Sequence, residues 1–342
     1  MIVLLSGCGS PPQQTFFLNT ATSDPPSLNI AMSDFSQNLF RLILAEGEEN
    51  PVISPFSVYY ALAMAAIDAQ GETLQEFTNV LGMPSYLLAS QLAELALCLS
   101  EAGGNTQLDL AYSIWFTDET SVLLESSLQL NAGWSSAFRP MLTTYCIFYL
   151  ASGEGIEVPF LKDTSRFWEP ARLYATDYHE AVMLPYDCER LGLVMIRPTN
   201  GVTIRDFVLT TNLMDIIVNL EEPDYYFGGL VSWQVPILNV SFEATMGDML
   251  KTLGLELAFD KHYADFSMVE ESVVFISDVK HKGVIEVNQQ GSTSTSLMTG
   301  RFILDMAKKL PIRTFDSPFM YLVYDFYTGT ILLMGVVDNP HI

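Results

Sequence analysis

The residue types that catalyse hydrolysis are few in this sequence, and their spacing fits no catalytic motif. Histidine occurs four times, as His179, His262, His281 and His341. None of them stands beside a serine or cysteine in a frame that would make it the general base of a nucleophile. The sequence also lacks a GxSxG turn, an HExxH motif, a GxxxxGK phosphate loop and a GxGxxG loop. We therefore predict that the protein is not an enzyme and that it has no catalytic residue, metal site or cofactor.

The cysteines show one pattern with a chemical meaning. None of them forms a CxxC pair or has zinc-ligand spacing: Cys8, Cys98, Cys146 and Cys188. The run Leu5-Ser6-Gly7 before Cys8 resembles the lipobox of bacterial lipoproteins, in which cleavage leaves the cysteine lipidated and amino-terminal. Residues 9–26 are polar and rich in Pro, which is typical of a tether. The sequence thus predicts lipidation at Cys8 and a leader remnant with tether over residues 1–27; an accidental match is the alternative.

The charge balance argues against nucleic acid as a partner. The chain has 40 Asp and Glu against 16 Lys and Arg, a formal net charge of −24. Binding to phosphate needs clustered cations, which such a surface does not supply. No later segment contains eighteen uncharged apolar residues in a row, so membrane contact is expected only through the lipid anchor. We expect a monomer at the cell surface or outside the cell.

Helical patterns fill the first third of the chain, and strand patterns fill most of the rest. Helices are predicted over residues 29–44, 58–69, 74–81 and 246–253. Strands are predicted over residues 108–116, 122–130, 182–186, 193–196, 233–240, two pieces of 273–287, and a hairpin of 319–324 with 331–337. This order predicts a single α+β domain over residues 28–342 rather than an alternating parallel fold.

Three separated stretches resemble the serpin family, and they occur in the family's order. Residues 50–57 (NPVISPFS) open an Ala-rich helix, similar to the family's buried second helix. Residues 277–292 resemble the fifth strand of its main sheet and the hinge of its reactive loop. Residues 316–340 resemble its C-terminal hairpin, and residues 123–138 with Trp134 add a weaker similarity. Several motifs in order are more specific than any one of them.

The resemblance implies both a fold and a function. It implies helices packed on a large mixed or antiparallel main sheet, with smaller sheets and an exposed reactive loop at about residues 289–317. The expected function is suicide-type inhibition of a serine or cysteine protease, which cleaves the loop and is trapped as the loop inserts into the main sheet. The resemblance assigns the region where the sheet opens to Ser54, Ser57, Trp134 and His281.

The hinge of the loop has the properties of a strand that can insert. The resemblance assigns it to Gln289, Gln290, Gly291, Ser292, Thr293, Ser294, Thr295 and Ser296. With a period of two, Ser292, Ser294 and Ser296 would face one side of the sheet, where their small size avoids clashes. No Pro occurs between Gly291 and Pro311, so the inserted strand would keep its backbone donors. A flexible Ser/Thr-rich linker is the alternative interpretation.

The position of the cleaved bond depends on how the loop is counted. With Gln289 as the seventeenth residue before the bond, as in the family, the bond is Asp305–Met306, within the window Leu304 to Ala307. Counting back from Pro318 gives Ala307–Lys308 instead. We prefer the hinge count, because insertion sets that length. An Asp before the bond suits a pocket with a cationic base, whereas Leu304 or Met306 would suit elastase- or subtilisin-like enzymes.

One departure from the family affects the predicted mechanism. The family has a helix, an edge strand and a second helix between the strands that correspond to residues 108–116 and 123–130, and only a few residues separate them here. Loss of the covering helix is expected to expose apolar sheet surface. A non-inhibitory binding or structural protein with this fold is therefore the second hypothesis, and an unrelated hydrolase is the third.

Overall fold

The computed structural model describes residues 27–101, 103, 106–116, 120–135, 137–163, 172–188, 190–199, 201–221, 232–267, 274–292 and 312–340. The α-helices are α1 (Leu28–Ala45), α2 (Pro55–Ala66), α3 (Gly71–Leu81), α4 (Ser85–Ser100), α5 (Ile204–Thr210), α6 (Leu213–Glu221) and α7 (Gly247–Thr252). The strands are β1 (Val52–Ile53), β2 (Gln107–Phe116), β3 (Ser121–Gly133), β4 (Thr144–Tyr149), β5 (Gly155–Asp163), β6 (Arg172–Ala175), β7 (His179–Pro185), β8 (Leu191–Pro198), β9 (Ser232–Pro236), β10 (Leu238–Thr245), β11 (Phe275–Val287), β12 (Gly291–Ser292), β13 (Ile312–Thr314), β14 (Phe319–Asp325) and β15 (Thr330–Val337).

The strands form three sheets. The main sheet has the order β10-β11-β12-β3-β2, a six-stranded sheet has the order β1-β15-β14-β8-β7-β6, and a four-stranded sheet has the order β13-β9-β5-β4. Neighbours in the main sheet are antiparallel, except that β11 and β3 run parallel where they pair directly. Helices packed on mixed and antiparallel sheets confirm the predicted α+β class.

The core lies between the six-stranded sheet, the main sheet and the first two helices. Strands β14 and β15 are buried along their whole lengths, which explains their nearly continuous apolar sequence. Helix α2 starts at a favourable N-terminus, because the Ser54 hydroxyl accepts the Ser57 N–H at 3.1 Å and Pro55 occupies the first turn. Its Ala-rich body contacts α1, β15 and β3, so it connects the layers.

Several predicted elements differ from those observed. Residues 233–240 form two strands in different sheets, β9 and β10, because Pro236 lacks an N–H and the Ile237 N–H turns to the carbonyl of Pro159. Residues 273–287 hold one strand, β11, whose pairing register shifts between Ile276 and Asp278. Helices α4, α5 and α6 were not predicted. The predicted helices over residues 29–44, 74–81 and 246–253 and the C-terminal hairpin are confirmed to within a few residues.

Strands β2 and β3 pair directly along their lengths, and their outer face is mostly polar. The outward pairs are Gln107↔Asn131, Asp109↔Gln129, Ala111↔Ser127, Ser113↔Glu125 and Trp115↔Leu123. The inward partners, such as Leu108↔Leu130, are apolar, except for Ser126 opposite Tyr112. The indole N–H of Trp115, the largest outward apolar group, donates to Glu125 Oε2 at 2.8 Å. Among the described side chains of these two strands, the large apolar ones that are exposed are Trp115 and Ile114, with Leu123 partly exposed, since alternation puts polar groups on most of the outer face.

Across the described ranges, no single helix combines the length and apolar composition needed to cross a bilayer. The consecutive helices α3 and α4 meet that criterion only when they are taken together, and they are bent by 47° at their junction. Half-buried and buried leucines of α4 face the protein core.

Candidate functional site

Three of the residues predicted at the sheet opening meet beneath the main sheet. The backbone N–H of Ser54 donates to His281 Nε2 at 2.9 Å, and the Ser57 hydroxyl lies 3.4 Å from His281 Nδ1. Ser126, on the facing strand β3, brings its hydroxyl to 3.1 Å from His281 Nδ1. The ring therefore joins the start of α2 to the pair of strands β11 and β3. We call Ser54, Ser57, Ser126 and His281 the serine–histidine cluster.

The protonation of His281 follows from its donors. An amide N–H can only donate, so Nε2 must carry a lone pair and Nδ1 carries the proton. The side chain is buried, and this burial lowers the pKa of His281 to about 4, while a hydrogen bond to Ser126 acts in the opposite direction. The cluster is thus a neutral hydrogen-bonded link between α2 and the sheet.

Above this cluster the two parallel strands separate. Strands β11 and β3 pair from Phe275↔Ser121 up to Gly283↔Leu128, and no direct pair follows. The chain instead turns back after β11, and β12 enters between the two strands from the top. Ser292 pairs with Val287 on one side and with Ala132 on the other, and Gly291 pairs with Gly133.

A cavity of about 280 Å³ fills the gap between the closed lower part of the sheet and β12. It is lined by residues 127–130 of β3, residues 282 and 284–286 of β11, Ser292 at the top and Leu333 below. Facing backbone groups on both strands border this space, as at the two edges of an incomplete sheet. The geometry accommodates an added strand, which would complete both ladders.

An aromatic group holds the hinge at the upper end of the cavity. Trp134 stacks on Tyr186 with ring centroids 4.9 Å apart, and its indole N–H donates to the Asn288 carbonyl at 2.9 Å. The Tyr186 hydroxyl lies 2.8 Å from Ser292 Oγ, so Ser292 faces the core. Backbone N–H groups of Trp134 and Phe138 donate to the Gln290 and Gln289 carbonyls, both at 2.9 Å. The hinge is thereby fixed up to Ser292.

Glycine is required where β12 enters the sheet. A Cβ atom on Gly291 would overlap the Ala132 carbonyl oxygen and lie 2.8 Å from Gly133 Cα. Such distances are shorter than van der Waals contact with backbone atoms that have no room to move. Any larger residue at position 291 would push β12 out of the sheet.

The other end of the loop is attached to the four-stranded sheet. Strand β13 pairs with β9, and the Arg313 guanidinium forms an ion pair with the buried carboxylate of Glu180 at 3.1 Å. Arg197 binds the same carboxylate at 2.7 Å and donates to the Thr314 carbonyl at 2.8 Å. A buried carboxylate between two guanidinium groups keeps its charge compensated, so this cluster anchors β13.

The predicted site residues fall into two places rather than one. Ser54, Ser57 and His281 meet in the serine–histidine cluster, whereas Trp134 belongs to the hinge support, eight residues after Ser126 and just past the end of β3. Of the predicted hinge, Gln289, Gln290, Gly291 and Ser292 are described. Outside the described residues lie Thr293, Ser294, Thr295 and Ser296, the bond window Leu304, Asp305, Met306 and Ala307, and Cys8.

Two residues of these clusters were not predicted. Ser126 is the one polar side chain among the core-facing positions 122, 124, 126, 128 and 130 of β3, a break in the alternation that signals a buried hydrogen bond. Tyr186 ends the predicted strand of residues 182–186 but had no assigned role. In the described part of the chain, no group of three His, Cys, Asp or Glu side chains is arranged to hold a metal ion.

Comparison with known proteins places these features in one family. The family model described as serpin (serine protease inhibitor) matches residues 30–125 and 116–340. An uncharacterized serpin-like protein of Thermococcus kodakarensis is 27% identical over 385 residues, covering 93% of this chain and 86% of the relative. A rice (Oryza sativa subsp. japonica) protein named "Probable non-inhibitory serpin-Z9" is 31% identical over 65% of this chain and 50% of its own length.

Solved structures agree with this fold. The structure of native protease nexin-1 with heparin superposes with a TM-score of 0.80 at 19% identity, covering 93% of this chain and 100% of that one. The native state of tengpin, a thermophilic serpin, gives a TM-score of 0.77 at 19% identity, covering 98% and 97%. At these identities the likeness establishes the fold.

Proposed function

We propose that this chain, which belongs to the serpin family, inhibits a serine or cysteine protease by offering its loop for cleavage and then inserting it into the main sheet. The observation that carries the proposal is the gap between β3 and β11, whose upper end β12 already occupies. An incomplete sheet with the base of a loop at its opening favours strand insertion. The protein would act as an inhibitor and not as an enzyme.

The register of β12 assigns a place to each inserted residue. If insertion continues this pairing, Thr293, Ser294 and Thr295 would lie opposite residues 131–129 of β3 and 286–284 of β11, and all of these but residue 131 border the cavity. Ser294 and Ser296 would then face the core, as Ser292 does, and the two threonines would face outward. Small side chains on the buried side let the strand enter without displacing the core.

Insertion beyond Thr295 requires the lower part of the sheet to open. Ser296 would separate Gly283 from Leu128, and Met298 would arrive between His281 and Ser126, which are now hydrogen bonded. The parallel pairs of β3 with β11 would be replaced by antiparallel pairs of each strand with the loop. Two complete ladders in place of one provide the driving force for the change.

The trigger would be cleavage of the loop by the target enzyme. Counting from Gln289, we place the cleaved bond at Asp305–Met306, with Leu304 to Ala307 as the window. While the chain is intact, β13 anchors the far end of the loop, so full insertion is held back. Cleavage releases the hinge side from that anchor, and the acylated protease would be carried along with it.

We also propose that a segment found in relatives is absent between β2 and β3. The family model matches in two stretches that meet at residues 116–125, where β2 ends and β3 begins. The alignment with the Thermococcus relative spans 385 positions, more than the 342 residues of this chain, so the relative carries residues that this chain lacks. The polar outer face of β2 and β3 supports a sheet adapted to solvent rather than one stripped of a cover.

For its location, we propose lipid attachment at Cys8 and display on a bacterial surface. Residues 1–27 would form the leader remnant and tether, and residues 28–342 the serpin domain, acting as a monomer outside the cell. Metabolic labelling with a fatty acid tests this: wild-type protein should be labelled and Cys8→Ser should not. Equal labelling of both would contradict the assignment.

A non-inhibitory binding or structural protein is the second candidate, and Met298 is the residue that favours it. In the register proposed for the inserted strand, the long side chain of Met298 would enter the buried serine–histidine cluster. There it would have to displace hydrogen-bonded partners. If that space cannot be made, insertion would stop near Leu297. The loop would then be cut without trapping the enzyme.

Incubation with a protease panel separates the two candidates. Elastase-like, subtilisin-like, trypsin-like and Asp-specific enzymes would be mixed with the protein and the products separated on denaturing gels. An SDS-resistant complex of the two chains, together with cleaved protein of raised thermal midpoint, is the expected result. Quantitative cleavage between residues 293 and 311 with no complex and no gain in thermal midpoint would refute inhibition in favour of the second candidate.

A further inference from the structure

A stripe of exposed apolar side chains lies on the outer face of β4 and the turn before it. Its members are four large apolar side chains: Met141 (80% exposed) in the turn, and Tyr145 (68%), Ile147 (44%) and Tyr149 (51%) on β4. The residues between them, Cys146 and Phe148, pack toward the core, so alternation places the other three on the solvent side. We call these four residues the β4 stripe.

The neighbouring strand leaves room for two side chains of the β4 stripe to lie along the surface of the sheet. Gly155 of β5 stands beside it, and a Cβ there would lie 2.8 Å from Ile147 Cγ2 and 3.7 Å from Tyr149 Cε1. Both side chains therefore extend over the adjacent backbone instead of standing apart. Contiguous exposed apolar surface of this kind marks binding sites in soluble proteins, and Tyr is enriched among the residues that dominate binding energy.

The β4 stripe runs from one end of the loop to the other. Thr143, just before β4, accepts a hydrogen bond from the Gln289 side chain at 3.2 Å, on the hinge side. At the opposite end of β4, the Tyr149 N–H donates to the Asp316 carbonyl at 2.8 Å, just after β13. The strand thus bridges the two bases from which the loop leaves the body of the protein.

Chain length limits how far an attacking enzyme can stay from this surface. Nineteen residues, 293–311, join Ser292 to Ile312. At about 3.5 Å per residue the middle of the loop lies no more than about 35 Å from its bases. A globular enzyme of about 230 residues has a radius near 20 Å, so its body would lie over β4 while it acts on the loop.

We propose that the β4 stripe is a docking surface for the body of the target protease, which it engages outside the cleaved loop and brings into register with it. The partner surface would be apolar, with hydrogen-bond groups for the two tyrosine hydroxyls. The inference rests on the proposed function only in that a protease attacks the loop. It does not require that the loop then inserts.

The test compares two pairs of exposed tyrosines. Tyr145→Ser/Tyr149→Ser removes the aromatic part of the β4 stripe, and Tyr86→Ser/Tyr263→Ser changes two tyrosines that are 75% and 71% exposed on α4 and in a remote turn. The measurement is the second-order rate of loop consumption, counting complex and cleaved product together, by the panel enzyme that consumes wild type fastest. We expect at least a tenfold fall for the first pair and less than a twofold change for the control.

Each other outcome overturns the docking proposal. An unchanged rate would do so, and a loss of thermal midpoint in the stripe variant beyond the control would mean that the chain's own residues cover this face. A dimer in sedimentation that dissociates in the stripe variant, with an unchanged rate, would assign the face to a second copy. Failure of inhibition would be seen in a different readout, because wild type would then yield only cleaved product and no complex. A tenfold difference in the rate of loop consumption would still support docking in that case. If no enzyme consumes the loop, both proposals fail.

Discussion

Acidification should destabilise the protein through His281, whose ring is held neutral by its surroundings. Its pKa of about 4 in the folded state lies below the value near 6.5 of an unfolded chain. Between these values the unfolded state binds more protons, so stability is lost as the pH falls from about 6.5 towards 4 and is fully present above that range. At about 1.4 kcal/mol per pH unit, the total loss is about 3 kcal/mol.

The assay compares urea unfolding of wild type with His281→Gln at several values from pH 7 to pH 4.5. Gln offers an acceptor to the Ser54 N–H and a donor to Ser126 but does not titrate. Because the many carboxylates titrate in both proteins, their contribution cancels in the difference. The stability advantage of wild type should shrink by about 2–3 kcal/mol across that range.

The control variant changes a histidine outside the serine–histidine cluster. His262→Gln changes an exposed histidine and should follow the wild-type pH profile. If the wild-type and His281→Gln profiles ran parallel down to pH 4.5, the neutral, buried role of His281 in the serine–histidine cluster would be wrong. A wild type that gained stability relative to His281→Gln on acidification would contradict the sign of the linkage.

Three further changes have defined outcomes. Ser294→Arg should lower the ratio of complex to cleaved product at least tenfold on the panel gels, because the charge would face the core on insertion. Thr293→Arg, whose side chain would face outward, should keep the wild-type ratio. Equal ratios in the two variants would refute the proposed register of the inserted strand. Gly283→Ala should lower the unfolding free energy by about 2–4 kcal/mol, since its Cβ would overlap the backbone of β1; denaturant unfolding checks this, and a neutral effect would contradict the close packing. Asn50→Ala should cost about 2 kcal/mol in the same assay, because Asn50 Oδ1 accepts the N–H groups of Asp338 and Asn339 at 2.7 and 3.0 Å and Asn50 Nδ2 donates to the Asn339 carbonyl at 2.6 Å. Asn50→Asp should also destabilise, since it keeps the acceptor but sets a second oxygen against that carbonyl; an unchanged free energy of unfolding in both variants would refute the role of this side chain.

Local sequence patterns predicted the elements that carry a regular period. The helix 29–44 was found because its apolar residues repeat at helical spacing, and the C-terminal hairpin because two short apolar runs flank a turn. Helix α4 was missed, although Leu88, Leu92, Leu95 and Leu99 mark one buried face at helical spacing. In contrast, the division of residues 233–240 between two sheets depends on Pro236 and on which sheet is nearby, which is a tertiary effect.

The candidate site was predicted in parts and not as an arrangement. The motif around Ser54 and the position of His281 led to one cluster, but the distance of Trp134 from it depends on strand register, which no local pattern encodes. The gap between β3 and β11 was not predictable either, because it arises where a parallel pair ends and the chain turns back after Val287. Ser126 could have been found from the sequence, because a polar residue within the apolar face of a strand indicates a buried hydrogen bond.

Loop insertion is tested most directly by the structure of the protein after a protease has cut its loop. Insertion predicts a new central strand in the main sheet, with Ser294 paired to Leu130 on β3 and to Ile285 on β11, and with Met298 between Ser126 and His281. The present parallel pairs, from Phe275↔Ser121 to Gly283↔Leu128, should then be gone. A cleaved protein in which those pairs persist and the cavity beneath Ser292 stays open would contradict it.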